Sequence, residues 1–310
     1  MNKPVFYITF LLCLCASYGS TQQNLVPNGS FEELSDCPIG ADIEKAIGWF
    51  SPTEGTPDLY NTCAPQISNL SVPTNGYGFQ NAQDGNGYAG IVCYGEGVDY
   101  REYISIRLSK SLEENKLYAV SYYLNLPEIS PKAVNNVGVG FLFNSSYLSA
   151  SDVMNPDKVI GNNFIVTDTL GWTKFQFYYY ADGGENYLVI GNFKADNQTQ
   201  VVEIQNTSGD QYYFVDNVSV LAFSDGFENV FTPNMDGIND QAFFNPTLDF
   251  LDVYIFNRWG EIVKKINFND GWDGSDSNGV MLNEGVYFYS IISTSQEIEF
   301  KKTGFIQLVK

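Results

Sequence analysis

Six aromatic residues, Tyr77, Phe79, Tyr88, Tyr94, Tyr100 and Tyr103, fall in one stretch with Gln80, Asn81, Asp84 and Arg101 among them. Flat rings can cover the apolar face of a pyranose while amides, carboxylates and a guanidinium take its hydroxyls, so the stretch is a candidate glycan-binding surface. Each ring has a competing role, because filling the core is the more common fate of an aromatic side chain. The chain contains no His, which removes Ser-His-Asp hydrolysis, Cys-His proteolysis and most catalytic zinc sites. Acid–base work is left to carboxylates. A glycoside hydrolase or lyase would need two of them roughly 5–10 Å apart in a cleft, and no such pair is marked by its surroundings, so no catalytic residue is assigned.

A second kind of chemistry lies in the cysteines. Cys37 and Cys63 sit in loop-like contexts beside Pro38 and Ala64-Pro65, whereas Cys93 lies in the strand-like run Ile91-Val92-Cys93-Tyr94. Of the three possible pairings, these contexts favour Cys37 with Cys63 and leave Cys93 as a buried thiol. Asn234, Asp236, Asn239 and Asp240 gather four oxygen-bearing side chains around Gly237. The spacing is not that of an EF-hand, and the segment reads as a turn in which Asn and Asp bond their own backbone rather than as a cation loop.

The elements that must position these groups are strands. Tyr and Phe number 44 against 4 Met, and aromatic, β-branched and Gly-rich stretches dominate. Period two places Val137, Val139, Phe141 and Phe143 on one face, Tyr118, Val120, Tyr122 and Leu124 on another, and Phe175, Phe177 and Tyr179 on a third. No segment keeps helical periodicity. Turn signals at 84–87 and 182–184 separate the strands, which predicts an all-β protein with a two-sheet sandwich of jelly-roll type in its N-terminal part.

Residues 1–19 read as a signal peptide, with Lys3, an apolar run from Val5 to Cys15 and small residues at Ser17 and Gly19. A lipoprotein reading would use Cys13 or Cys15, but Leu12 and Leu14 precede them where a small residue is expected. About 290 residues remain after cleavage, enough for two domains: residues 20–225, and a smaller unit at 226–310 with its own turn clusters. The net charge of −20 repels polyanions, so nucleic acid is not an expected partner.

The C-terminal unit carries four blocks in order: Val230-Phe231-Thr232-Pro233-Asn234-Met235-Asp236-Gly237-Ile238-Asn239-Asp240, then Asn257-Arg258-Trp259-Gly260, then Gly271-Trp272-Asp273-Gly274, then Gly285-Val286-Tyr287-Phe288-Tyr289 with the ending Thr303 to Lys310. These blocks resemble the type B C-terminal sorting domain of the type IX secretion system, also called the gliding motility-associated C-terminal domain. The resemblance implies an immunoglobulin-like β-sandwich, recognition by the outer-membrane translocon, and export by a Bacteroidetes-type bacterium. Trp259 and Trp272, each beside a glycine, fit strand ends where large rings cover a small core.

At the other end, Asn24-Leu25-Val26-Pro27-Asn28-Gly29-Ser30-Phe31-Glu32 and Tyr213-Phe214-Val215-Asp216-Asn217-Val218-Ser219-Val220 look like the first and last strands of carbohydrate-binding jelly rolls. The runs 48–52, 55–63 and 100–104 between them resemble a module of Bacteroidetes surface proteins. Period two puts Asp216 on the face of Phe214, Val218 and Val220, where a buried carboxylate needs compensation; the alternative is that Asp216 turns outward at a bulge or at the strand's end. In the jelly rolls that the sequence resembles, calcium joins the first and last strands. That implies a structural Ca2+ on Glu32 and Asp216, although Asn217 departs from the usual paired aspartates. No organic cofactor is expected.

The expected protein is therefore exported and non-catalytic, with an N-terminal module that binds glycan or acts as an adhesin and a C-terminal domain read by the type IX translocon. The alternatives are a glycoside hydrolase or lyase using an Asp/Glu pair, and a structural surface-coat protein.

Overall fold

The computed structural model describes residues 23–310 apart from 96, 146, 149–151, 162, 207–208, 223–228, 243–250, 268–269 and 294–300. The expected signal peptide lies outside the described residues. The strands are β1 (Trp49–Phe50), β2 (Asp58–Asn61), β3 (Thr74–Asn75), β4 (Gly78–Phe79), β5 (Gly87–Tyr94), β6 (Ile104–Arg107), β7 (Leu117–Asn125), β8 (Lys132–Val134), β9 (Val137–Leu142) and β10 (Lys158–Ile160). They continue with β11 (Thr173–Tyr180), β12 (Tyr187–Asn192), β13 (Val201–Glu203), β14 (Gln211–Ala222), β15 (Val230–Phe231), β16 (Leu251–Phe256), β17 (Ile262–Asn267), β18 (Gly285–Ser293) and β19 (Lys301–Leu308). Helix among the described residues is limited to three short 3-10 turns.

Two five-stranded antiparallel sheets, ordered β1-β6-β12-β9-β10 and β11-β7-β14-β5-β2, form the N-terminal sandwich. Their inner faces meet in one core: Ile104, Ile106, Val139, Phe141, Leu188 and Ile190 come from the first sheet, and Ala89, Ile91, Tyr118, Val120, Tyr122, Tyr213 and Val215 from the second. The alternation read from the sequence holds in β7, where Tyr118, Val120, Tyr122 and Leu124 are all buried. Turning one residue in two toward this core, as β7 does, is what commits these aromatic and branched chains to a sheet. β11 buries Phe175 and Tyr179, with Phe177 packed against the same core. Phe143 lies just beyond the end of β9.

The outer face of the second sheet is also apolar. Tyr60, Tyr88, Val92, Tyr212 and Phe214 form a second cluster there. Along β14 the two faces follow from period two, with Tyr212 and Phe214 outward and Tyr213 and Val215 in the core.

The phase then changes. The register shifts between Asp216 and Ser219, and Asn217 takes a φ of 47°, so a bulge returns Val218 and Val220 to the core. Asp216 therefore does not share a face with them: the bulged alternative holds and strict alternation does not. The first described segment closes against this bulge: Leu25 N donates to Val220 O, Val218 N donates to Gly29 O, and the Asn24 side chain bonds both Val218 and Val220.

The C-terminal strands form one five-stranded sheet, β15-β19-β18-β16-β17, in which β15 runs parallel to β19. Val253, Ile255, Tyr287, Tyr289, Ile291, Ile306 and Leu308 line its buried face, with Phe231 and Trp272 against them.

Candidate functional site

The aromatic outer face of the second sheet opens into a cleft of about 470 Å³, lined by Ala41, Thr56, Asp58, Tyr77, Val92, Val98, Tyr100, Glu102, Asp210 and Tyr212. Three tyrosine rings and three carboxylates converge there from segments far apart in the chain. Asp58 opens β2 and Tyr212 stands on β14, with β5 between them. Asp58 pairs with Gly90 of β5, and Gly90 leaves room above the sheet, since a Cβ there would overlap the Tyr212 hydroxyl. Through that gap Tyr212 Oη donates to Asp58 Oδ2 at 2.7 Å. Tyr60 Oη lies 3.3 Å from Tyr212 Oη and donates to it, because the Tyr212 proton is engaged on Asp58. Tyr77 stacks on Tyr212 with centroids 4.1 Å apart and planes 14° apart.

Glu102 forms the floor and is buried. It accepts from Thr56 N at 3.1 Å, Thr56 Oγ1 at 3.2 Å, Tyr100 Oη at 2.9 Å and Val92 N at 2.9 Å. These four donors compensate its charge. Asp58 has one donor by contrast, and Asp210 has none among the described residues. Burial pushes the Asp58 carboxyl up to about 6 against the pull of the Tyr212 hydrogen bond, and the charges of Glu102 and Asp42 add to the rise. Burial, with the charges of Asp58, Glu102 and Asp210, raises the Tyr77 phenol to about 12. Cys37 and Cys63 are joined, with Cα atoms 5.7 Å apart. The bond ties the segment carrying Ala41 to the turn after β2, and Cys93 is free and buried.

Of the rings singled out from the sequence, the structure brings Tyr77 and Tyr100 to the cleft. Phe79 lies on the short hairpin strand β4, away from the cleft lining, and is exposed. Tyr88 is a buried member of the cluster, and its hydroxyl accepts from Asn75 Nδ2 at 2.8 Å and donates to Gln80 O. Tyr94 packs against the core, with Arg101 5.4 Å from its centroid. Arg101 is fully buried and donates to Tyr100 O, Lys194 O and Asp196, so it braces loops rather than meeting a ligand. Tyr103 is buried and donates to Asn192 O at 2.7 Å. Asp58, Glu102, Asp210 and Tyr212 were not singled out. Asp58 and Glu102 lie inside runs already noticed, 55–63 and 100–104, where a carboxylate among aromatics was the available signal.

Glu32 and Asp216 grip one turn from its two ends. Asp216 Oδ2 accepts from Gln83 N at 2.8 Å and Asp84 N at 3.1 Å, and its Oδ1 accepts from Asn217 N at 2.6 Å. Glu32 Oε1 accepts from Asn86 N and Gly87 N, and its Oε2 from Asn86 Nδ2 at 2.9 Å. Every oxygen of the two carboxylates carries an N–H donor. Among the described residues no three His, Cys, Asp or Glu gather as metal ligands. The amides of the turn and of Asn217 occupy all four oxygens and so provide part of the compensation for which a cation was expected. Burial still pushes the Asp216 carboxyl up to about 8 against those amides.

In the C-terminal unit, Asn234, Asp236, Asn239 and Asp240 form a self-bonded turn. Asp240 accepts from Met235 N and Gly237 N, Asp236 accepts from Ile238 N, and Asn239 donates to Val230 O. Asn257 Oδ1 accepts from Trp259 N and Glu261 N around Gly260, whose φ is 81°. That turn holds Arg258 and Trp259 outside the fold, and Trp259 is 80% exposed, which corrects the expectation that its ring covers the core. Trp272 does cover it, fully buried, with Nε1 donating to Ser275 O. Asp273 accepts from Ser275, and Gly274 takes a φ of 81°.

No curated protein matches the chain. The CBM22-1 xylan-binding domain of Paenibacillus barcinonensis Xyn10C is 16% identical, with a TM-score of 0.36 over 65% of this chain and 95% of that one. A cyclase from Fischerella sp. TAU is 14% identical, with a TM-score of 0.40 over 64% and 95%. The K1 cleaved adhesin domain of the Lys-gingipain of Porphyromonas gingivalis W83 is 14% identical, with a TM-score of 0.33 over 62% and 95%. None of the three assigns a ligand or a reaction to this chain. The C-terminal unit is another matter: residues 226–308 match the family described as the CHU_C Type IX secretion signal domain, and this segment is a domain of that kind.

Proposed function

We propose that the protein is exported by the type IX route to the cell surface or the medium, where its N-terminal module binds a glycan in the tyrosine-lined cleft without cleaving it. The observation that carries the binding reading is the cleft itself. It offers ring faces from Tyr77, Tyr100 and Tyr212 beside carboxylate acceptors for sugar hydroxyls. The four donors on Glu102 favour binding over hydrolysis, because they already occupy the oxygens that would have to meet a reacting group.

Two measurements test the reading. A glycan array probed with the full-length secreted protein should give hits that Tyr100→Ala weakens, and a reducing-sugar assay on each hit should stay at background. Product release from any hit would replace binding with hydrolysis. For export, a chain ending at residue 225 should remain in the periplasm of a strain that carries the translocon, while the full chain reaches the surface or medium. Undiminished export of the truncated chain would remove the sorting role.

A further inference from the structure

The cleft is rich in acceptors and poor in donors. Asp58 has a single donor on Oδ2, and Asp210 stands at the mouth with none among the described residues. The hydroxyls of Tyr212 and Tyr100 are already spent on Asp58 and Glu102. Among the described residues no Lys or Arg lines the cleft, Arg101 is turned into the fold by its own three acceptors, and the chain has no His. Three carboxylates and three tyrosine rings therefore line the cleft with no cation among its described residues, and the quadrupole of each ring also presents negative charge to whatever lies over its face.

A ligand complementary to such a site brings positive charge and N–H donors together. We propose that the cleft selects a cationic glycan unit: an amino sugar whose protonated amine sits between Asp58 and Asp210 while its ring lies against a tyrosine. The proposal rests on the glycan-binding reading and adds the charge of the sugar. An acidic sugar is excluded by the same carboxylates, and a neutral one leaves Asp58 and Asp210 without a counter-charge. Acetylating the amine keeps the ring and removes the charge, so paired oligomers isolate the one feature at issue.

The test is titration calorimetry of the full-length protein at 0.15 M salt with four probes: glucosamine oligomers, their N-acetylated counterparts, neutral xylose oligomers and galacturonate oligomers. The glucosamine oligomer should bind at least about tenfold tighter than its acetylated counterpart, and galacturonate should not bind. Asp58→Asn, which keeps an oxygen for Tyr212, and Asp210→Asn, at an exposed position, should each weaken glucosamine binding by about fivefold. Equal or tighter binding of the acetylated or neutral oligomer overturns the charge inference and leaves glycan binding standing. Glucosamine binding that both variants leave unchanged is adhesion of a polycation to a chain of charge −20, and it also overturns the inference. Binding of none of the four removes the inference together with the reading beneath it.

Discussion

Tyr212 reaches Asp58 across an intervening strand, its hydroxyl 2.7 Å from Asp58 Oδ2 and its path open because Gly90 has no side chain. Both residues therefore depend on a position that never touches a ligand. Gly90→Ala would place a methyl where the hydroxyl lies and force Tyr212 off Asp58, at a cost of about 1–3 kcal/mol. Denaturant unfolding measures that cost, and a change within about 0.5 kcal/mol would show that the crossing carries no strain and that Tyr212 relocates freely.

Asp58 should also shape the dependence of stability on pH. Its carboxyl keeps its proton to about pH 6 in the fold, against a reference value of 3.8. Folding thus takes up a proton between those values, and the associated stabilisation is complete below about pH 4 and lost as pH rises through 6. The charged or titratable groups around it are Glu102, Asp42, Asp210, Tyr60, Tyr77 and Tyr212. Asp58→Asn should flatten the decline in melting temperature between pH 4 and 6, and parallel profiles for the two proteins would contradict the assignment.

Glu32 and Asp216 hold the turn between them through its amides. Melting temperature should be the same in chelator and in millimolar calcium, whereas Asp216→Ala, which strips three N–H groups of their acceptor, should cost about 2–3 kcal/mol. A rise of melting temperature with the logarithm of free calcium would restore the cation.

The two tryptophans of the C-terminal unit should behave oppositely. Trp272→Ala removes a fully buried ring and should cost about 3–5 kcal/mol. Trp259→Ala removes an exposed one and should stay within about 0.5 kcal/mol. Intrinsic fluorescence gives a second reading, since loss of Trp259 should remove emission characteristic of a solvated indole.

Cys37–Cys63 closes a loop with a sequence separation of 26, which the chain-entropy estimate converts to about 3 kcal/mol. Reduction should lower the melting temperature accordingly and, because the bond anchors the cleft wall at Ala41, weaken ligand binding as well. Peptide mapping without reduction checks the pairing; a crosslink containing Cys93 would refute it.

The strands were legible because burial of one residue in two writes itself into the order of residues, as in Tyr118, Val120, Tyr122 and Leu124. Tyr77 and Tyr100 were legible as members of a ring-rich stretch. Their partners were not: Asp58 and Tyr212 lie 154 residues apart, and pairing across a sheet leaves no local trace. β14 offers Tyr212 and Tyr213 side by side, both aromatic, so its pattern does not say which faces the core. One bulged residue, Asn217 with its φ of 47°, was enough to reverse the face assigned to Val218 and Val220 relative to Asp216. Trp259 was misplaced because a glycine beside a tryptophan marks an outward turn as readily as a strand end.

Cys93 sits fully buried in the sandwich core, its thiol raised well above its usual range by burial despite the opposing charge of Arg101. The remaining cysteines, Cys13 and Cys15, lie within segment 1–19. A chain without that segment therefore carries one natural reporter at its centre, silent to thiol reagents while the two sheets stay together. Its labelling rate counts the moments when they part, so opening of the sandwich can be timed in the unaltered protein, with and without a sugar in the cleft.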